Sequence, residues 1–116
     1  MKNNSNVINK LIFKTIDGIV YLDFSKIIRF EAESKYTLIY TLNNKNAIRS
    51  LFPISLIEVM LPTSFFFRTH RSHIINFQYL EKLEKNKNTL HLIDNHIVPI
   101  SKNRLSKFIE CTQKVL

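Results

Sequence analysis

Apolar residues in this chain recur at every second position, in short runs separated by turn-forming residues, and that period commits most of it to β-structure. Ile28, Phe30 and Ala32 alternate with Arg29, Glu31 and Glu33; beyond an exposed Ser34-Lys35 corner, Tyr36, Leu38, Tyr40 and Leu42 repeat the pattern. This predicts a hairpin of two half-buried strands, residues 27–33 and 36–42, with those apolar positions turned to the core. A hairpin before it joins residues 11–16 to 19–24 through Asp17-Gly18, which holds the only glycine in the chain. Asp-Gly suits the two positive-φ positions of a type I′ turn, and Phe13, Val20, Leu22 and Phe24 then share one face. Asn43-Asn44-Lys45 turns the chain into a strand at 47–51, and further strands are expected at 65–68, 74–76, 79–85, 89–93 and 96–100, with Asp94-Asn95 as a two-residue turn.

Two segments break the period. Residues 50–61 predict a short central helix with Ser50 as N-cap, Pro53 in the first turn, and Ile54, Ile57 and Leu61 on one stripe. Ser101 is placed to cap a C-terminal helix whose inner side carries Leu105, Phe108, Ile109 and Val115. The fold class predicted is mainly β, with one short central helix and a C-terminal helix. Residues 1–9, polar and Asn-rich, are expected as a loose tail, and 10–116 as a single domain.

With 45% hydrophobic residues and 9 phenylalanines, a chain of 116 residues can bury a true core, which argues against global disorder. The 17 Lys and Arg against 9 Asp and Glu give a net charge of +8, which favours polyanionic partners. Cys111 is the single cysteine and has no internal partner, so a reducing compartment, the cytoplasm, is expected. No secretory signal is visible, and the most apolar stretch, 51–67, is interrupted by Pro53, Glu58 and Pro62, so it does not span a bilayer.

Catalysis finds little footing. The carboxylates are scattered over turns and exposed strand faces, and one glycine cannot build a phosphate-cradling loop. His70 and His73 stand three apart without Asp, Glu or Cys beside them, a poor metal site. No enzyme activity, cofactor or metal is expected. The most informative stretch is 65–76, where Phe65, Phe66 and Phe67, expected as core anchors, precede Arg68-Thr69-His70-Arg71-Ser72-His73 and then Ile74-Ile75-Asn76. A basic segment anchored at both ends is held outward, and Arg and His donors suit phosphate oxygens and guanine edges. Lys35 at its corner and Lys102-Asn103-Arg104 at the start of the last helix are two further basic spots. Cations at a helix N-terminus oppose its dipole, which hints at a task for them.

Residues 66–76 resemble the signature of the LytTR DNA-binding domain, and the likeness runs on through Ile28-Arg29-Phe30-Glu31-Ala32, Tyr36, Arg49-Ser50-Leu51, Glu58, Leu61-Pro62 and Pro99-Ile100-Ser101. It covers about residues 10–110. The resemblance implies short, mainly antiparallel sheets in an elongated body, and a bacterial transcription regulator that reads double-stranded DNA through loops in successive major grooves. Sites are commonly paired direct repeats, so two copies per DNA site are expected. Carried over by position, Lys35 and Tyr36 match the first DNA-reaching loop, His70, Arg71 and Ser72 the second, and Lys102, Asn103 and Arg104 the third. Arg71 is then expected on a base edge, with Lys35, Ser72 and Lys107 on phosphates. The third loop departs from the pattern of many members, in which adjacent basic residues precede an aromatic or apolar one. The receiver domain that often precedes this module has no counterpart here, so the chain reads as a stand-alone regulator or an excised domain. Control is then expected from a regulatory protein partner, membrane-bound or cytoplasmic. The competing reading, a single-stranded nucleic-acid or RNA-binding β module, would need aromatics exposed on a sheet face for base stacking.

Overall fold

A computed structural model describes residues 10–113; the expected tail at 1–9 and Val115 lie outside them. The order is β1 (Lys10–Thr15), β2 (Gly18–Asp23), β3 (Ile27–Glu33), β4 (Tyr36–Thr41), β5 (Ile48–Ser50), α1 (Ile54–Glu58), β6 (Phe66–His70), β7 (His73–Asn76), β8 (Leu80–Glu84), β9 (Thr89–Leu92), β10 (His96–Pro99) and α2 (Lys102–Cys111). The strands form three antiparallel sheets: β1-β2, β10-β9-β8, and a central β5-β4-β3-β7-β6. The body measures 44 × 37 × 25 Å. Among the described residues no helix is long and apolar enough to cross a membrane.

The central sheet is covered on both sides, and each side has its own core. On one face Phe13, Ile27, Phe30, Ile39, Phe66 and Ile74 meet Ile54, Ile57 and Leu61 from α1 and the turn after it. On the other, Ile28 and Ile75 meet Leu90, Leu92 and Val98 of the three-stranded sheet and Phe108 of α2. Rings tie each layer together: Phe30 lies 6.0 Å from Phe13 and 5.8 Å from Phe66, while Phe108 packs on Phe67 at 5.4 Å and on Phe77 at 6.0 Å.

Several expectations need correction. In β3 the register shifts between Ile27 and Arg29, a bulge in which Ile28 is the extra residue. Ile27 and Phe30 therefore share the first core while Ile28 enters the second. Arg29, expected outward, is only 9% exposed. Its burial is compensated at every side: Nε donates to His96 Nδ1 at 2.9 Å, a terminal nitrogen donates to Glu31 at 2.7 Å, and the guanidinium lies 4.0 Å above the Tyr40 ring. In β4 the buried positions are Thr37, Ile39 and Thr41, and Tyr36, Leu38 and Tyr40 lie half-buried on the opposite face. Ile39 pairs with Phe30, so the first core claims that face.

The first hairpin turns one residue early. Ile16 and Asp17 occupy the turn, neither with positive φ, and Gly18 pairs with Thr15. Thr15 Oγ1 closes it, 2.9 Å from Asp17 Oδ1 and 3.1 Å from the Gly18 carbonyl. Phe13 consequently faces Val20 instead of Leu22, yet the inward face is unchanged. The central helix is also shorter than expected. Ser50 ends β5, paired with Thr37, and its hydroxyl accepts from Phe52 N at 3.2 Å. Pro53 is the N-cap, and helical hydrogen bonding starts from its carbonyl. The stripe of Ile54, Ile57 and Leu61 is buried as expected. Phe65 remains 39% exposed, resting on Phe24 at 4.9 Å, so only Phe66 and Phe67 anchor the segment. Asp94 and Asn95 both take positive φ, but His96 pairs with Leu92, so the connection is three residues long, Ile93–Asn95, and not the two expected.

Candidate nucleic-acid interface

Sheet topology gathers the basic spots at one end of the central sheet. The β3–β4 connection is two residues long, Glu33 pairing with Tyr36, and Ser34 adopts φ 59°. Lys35 stands exposed there, its ammonium 5.6 Å from the Tyr36 ring. Between β6 and β7 the expected five-residue loop contracts to a two-residue turn, Arg71-Ser72, because His70 pairs with His73. Thr69, expected in that loop, is fully buried. The two turns are neighbours, for the Ser72 carbonyl accepts from Ala32 N at 2.8 Å. On the other side of β6, Ser101 N donates to the Thr69 carbonyl at 2.9 Å, and α2 begins at Lys102. Ser101 thus caps α2 by position only, since its hydroxyl reaches back to Thr69.

Two turns and a helix start therefore lie in a row: Ser34-Lys35, Arg71-Ser72, and Lys102-Asn103 at the head of α2. At this end the carboxylates are already engaged. Glu31 holds Arg29 at 2.7 Å, Glu33 holds Arg49 at 2.6 Å, and Glu58 holds Arg68 at 2.6 Å. Among the described residues, Lys35, Arg71 and Lys102 have no carboxylate within 4.0 Å. Their charge faces solvent.

Arg68 was not among the residues singled out for contact, and it is the residue that shapes the row. Its side chain is only 14% exposed. Besides the Glu58 ion pair, Nε donates to the His70 carbonyl at 3.0 Å and a terminal nitrogen donates to the Arg71 carbonyl. One guanidinium so grips the turn from behind and leaves the Arg71 side chain outside. The signal in sequence was the pair Glu58 and Arg68, which only the path of α1 brings together. His70 adds a second brace: its Nδ1 accepts from Ser72 N at 3.1 Å, which leaves Nε2–H as the ring's donor. His73 packs beside it at 5.6 Å between ring centres. Burial holds the His73 pKa below its ordinary value, and the charge of Arg29 and proximity of His70 lower it further against the pull of Glu31.

The third spot is less uniform. Lys102 and Asn103 are exposed, whereas Arg104 is half-buried and donates to the Arg68 carbonyl at 3.2 Å, which commits part of its fork to holding α2 on β6. Lys107 lies one turn further along α2, exposed, with its ammonium 3.8 Å from Glu110. Tyr36 is half-buried, more a support for Lys35 than a free ring.

A β domain that presents cationic turns from one sheet end, with its acids tied up behind them, has the build of a polyanion-binding module. Residues 17–113 match the family described as the LytTr DNA-binding domain, and the chain belongs to that family. Two heme-containing CO-sensing transcriptional regulators of Paraburkholderia xenovorans (strain LB400), RcoM 1 and RcoM 2, are 33% and 31% identical to it over 98 residues. Each alignment covers 79% of this chain and 35% of the relative, so the chain spans about a third of their length. A solved LytTr DNA-binding domain, from a putative methyl-accepting/DNA response regulator of Bacillus cereus, superimposes with a TM-score of 0.77 at 26% identity, covering 90% of this chain and 97% of that one. The chain is thus a DNA-binding domain of a family with members among bacterial transcriptional regulators.

Proposed function

We propose that this domain regulates transcription in the bacterial cytoplasm by recognising a specific double-stranded sequence, its row of turns entering successive major grooves and one copy seating on each of two direct repeats. The observation that carries the reading is the alignment of Ser34-Lys35, Arg71-Ser72 and Lys102-Asn103 on one edge, with the nearby acids neutralised. Arg71, exposed on a clamped turn, reads a base edge, most simply guanine O6 and N7. His70 offers Nε2–H beside it, while Lys35, Ser72 and Lys107 engage phosphates and fix the register. Lys102 and Asn103 are the better base-contacting candidates of the third spot, since Arg104 is partly committed. A regulatory protein partner supplies the control.

Single-stranded reading draws little support, because Phe66 and Phe67 belong to the cores instead of a stacking surface. The test is selection of sites from a random duplex library, followed by salt titration of the winner. A repeated motif should emerge, with a log–log slope of about −4 to −5 for four to six neutralised phosphates. Arg71→Ala should cost about 1–3 kcal/mol and relax one base position. No enriched motif, or preference for single strands, would overturn the proposal.

A further inference from the structure

The three-stranded sheet carries a turn to the same end of the molecule. Its β8–β9 connection reads Lys85-Asn86-Lys87-Asn88, in sequence an ordinary solvated turn. The backbone locates it. The Asn88 carbonyl accepts from Ile100 N at 2.9 Å, and the next residue, Ser101, donates its N–H to Thr69 at 2.9 Å. Ile100-Ser101 thereby splices the small sheet to the edge of the central one, in line with the Arg71 turn. Two successive backbone bonds thus join the β8–β9 turn to the β6 end of the row.

The turn is also charged in the right way. Lys85 is exposed with no carboxylate within 4.0 Å among the described residues, and Lys87 is 72% exposed. Glu84, the acid beside them, is turned to β9: His91 Nε2 lies 2.7 Å from one oxygen, and Lys87 reaches the other only at 3.8 Å. Asn88 at φ 51° and the bond from its N–H to the Lys85 carbonyl at 3.3 Å give the turn a defined shape.

We infer that the β8–β9 turn is a fourth DNA contact, with Lys85 and Lys87 neutralising backbone phosphates of duplex flanking the stretch reached by the other three turns. The inference rests on the duplex-reading function proposed above. Phosphate contacts add affinity and salt dependence without adding base preference. The contact therefore lengthens the footprint on one side only.

The experiment compares the full chain with a Lys85→Ala/Lys87→Ala double variant on the selected duplex, with each flank trimmed in turn. Lys45→Ala is the control, since the β4–β5 loop lies at the opposite end of β4 from the row. The double variant should lose about 0.9 in the salt slope for each phosphate released, while its selected motif stays the same. Trimming one flank should weaken the parent chain and leave the double variant indifferent; Lys45→Ala should behave as the parent. An unchanged slope and undiminished flank sensitivity in the double variant, with Arg71→Ala still losing base preference, would overturn the fourth contact alone. A parent chain that selects no duplex at all would overturn both proposals.

Discussion

The two faces of the central sheet are packed alike and serve differently. On the first, Phe13, Phe30 and Phe66 interlock beneath the β1–β2 hairpin and α1; on the second, Phe67, Phe77 and Phe108 interlock beneath the small sheet and α2. The first cover supplies none of the proposed contacts and acts on the row only through the Glu58–Arg68 pair. The second cover ends in the row itself, since α2 starts there and the β8–β9 turn flanks it. Similar packing thus has unequal functional weight: one core holds the strands in register, the other also sets the spacing between turns.

The sharpest way to break that comparison is to hollow each core in turn. Phe13→Ala and Phe108→Ala both remove a fully buried ring and should each cost about 3–5 kcal/mol in denaturant unfolding. Under conditions where both remain folded, Phe108→Ala should weaken DNA binding and Phe13→Ala should not. Equal losses of affinity would mean that the covers are not distinct. Next in size is Arg68→Lys, which keeps the charge beside Glu58 but cannot hold the His70 and Arg71 carbonyls with the same fork. Stability should fall by about 1–3 kcal/mol. Affinity for the selected site should drop toward that for random duplex with the salt slope unchanged, because no phosphate contact is removed.

Acid should discriminate the faces more gently. His73 and His96 both lie on the second face, and burial first, then the Arg29 charge for His96, holds both below the ordinary value of 6.5. The unfolded chain therefore takes up these protons before the native one does. Stability is complete above pH 6.5 and declines as pH falls through that value toward the depressed native pKa values. Hydrogen exchange at pH 5.5 should quicken in β9 and β10 before it does in β1 and β2, and His96→Gln should flatten the urea midpoint between pH 7.5 and 5.5. The smallest effect expected is Lys35→Ala, a loss of about 0.9 in salt slope with base preference intact.

The positions of the turns were more legible than their lengths, since the first hairpin turns one residue early and the loop expected at 69–73 is two residues long. Ser34-Lys35 and Asp94-Asn95 fell where short polar pairs interrupt the alternation, and the three basic spots stood out as charge at corners. What stayed hidden was which face of a strand is covered. Alternation distinguishes two faces only when one is wet, and β3 and β4 are packed on both sides, so Thr37 and Ile39 took the place expected for Tyr36 and Leu38. Arg29 and Arg68 looked like surface cations. Their inward turn depends on His96 and Glu58, partners that arrive 67 positions later and 10 earlier in the chain. Lys85 was expected inside a strand at 79–85, and only the Ile100-Ser101 splice places the Lys85–Lys87 turn beside the others.

The bulge at Ile28 has a consequence for chain length. Ahead of it an odd-numbered residue, Ile27, faces the first core; behind it even-numbered ones, Phe30 and Ala32, do so. The strand is thus written in two phases joined by a single extra residue. Deleting that residue would take a fully buried side chain out of the second core, and it would also put one half of β3 out of step with the other. Arg29 and Glu31 would then be driven toward phenylalanines while the Lys35 corner shifted along the sheet edge. Ile28→Val keeps the count and should cost about 0.5–1.5 kcal/mol, but changes of length belong in the exposed loop at 43–46, where nothing downstream has to keep count.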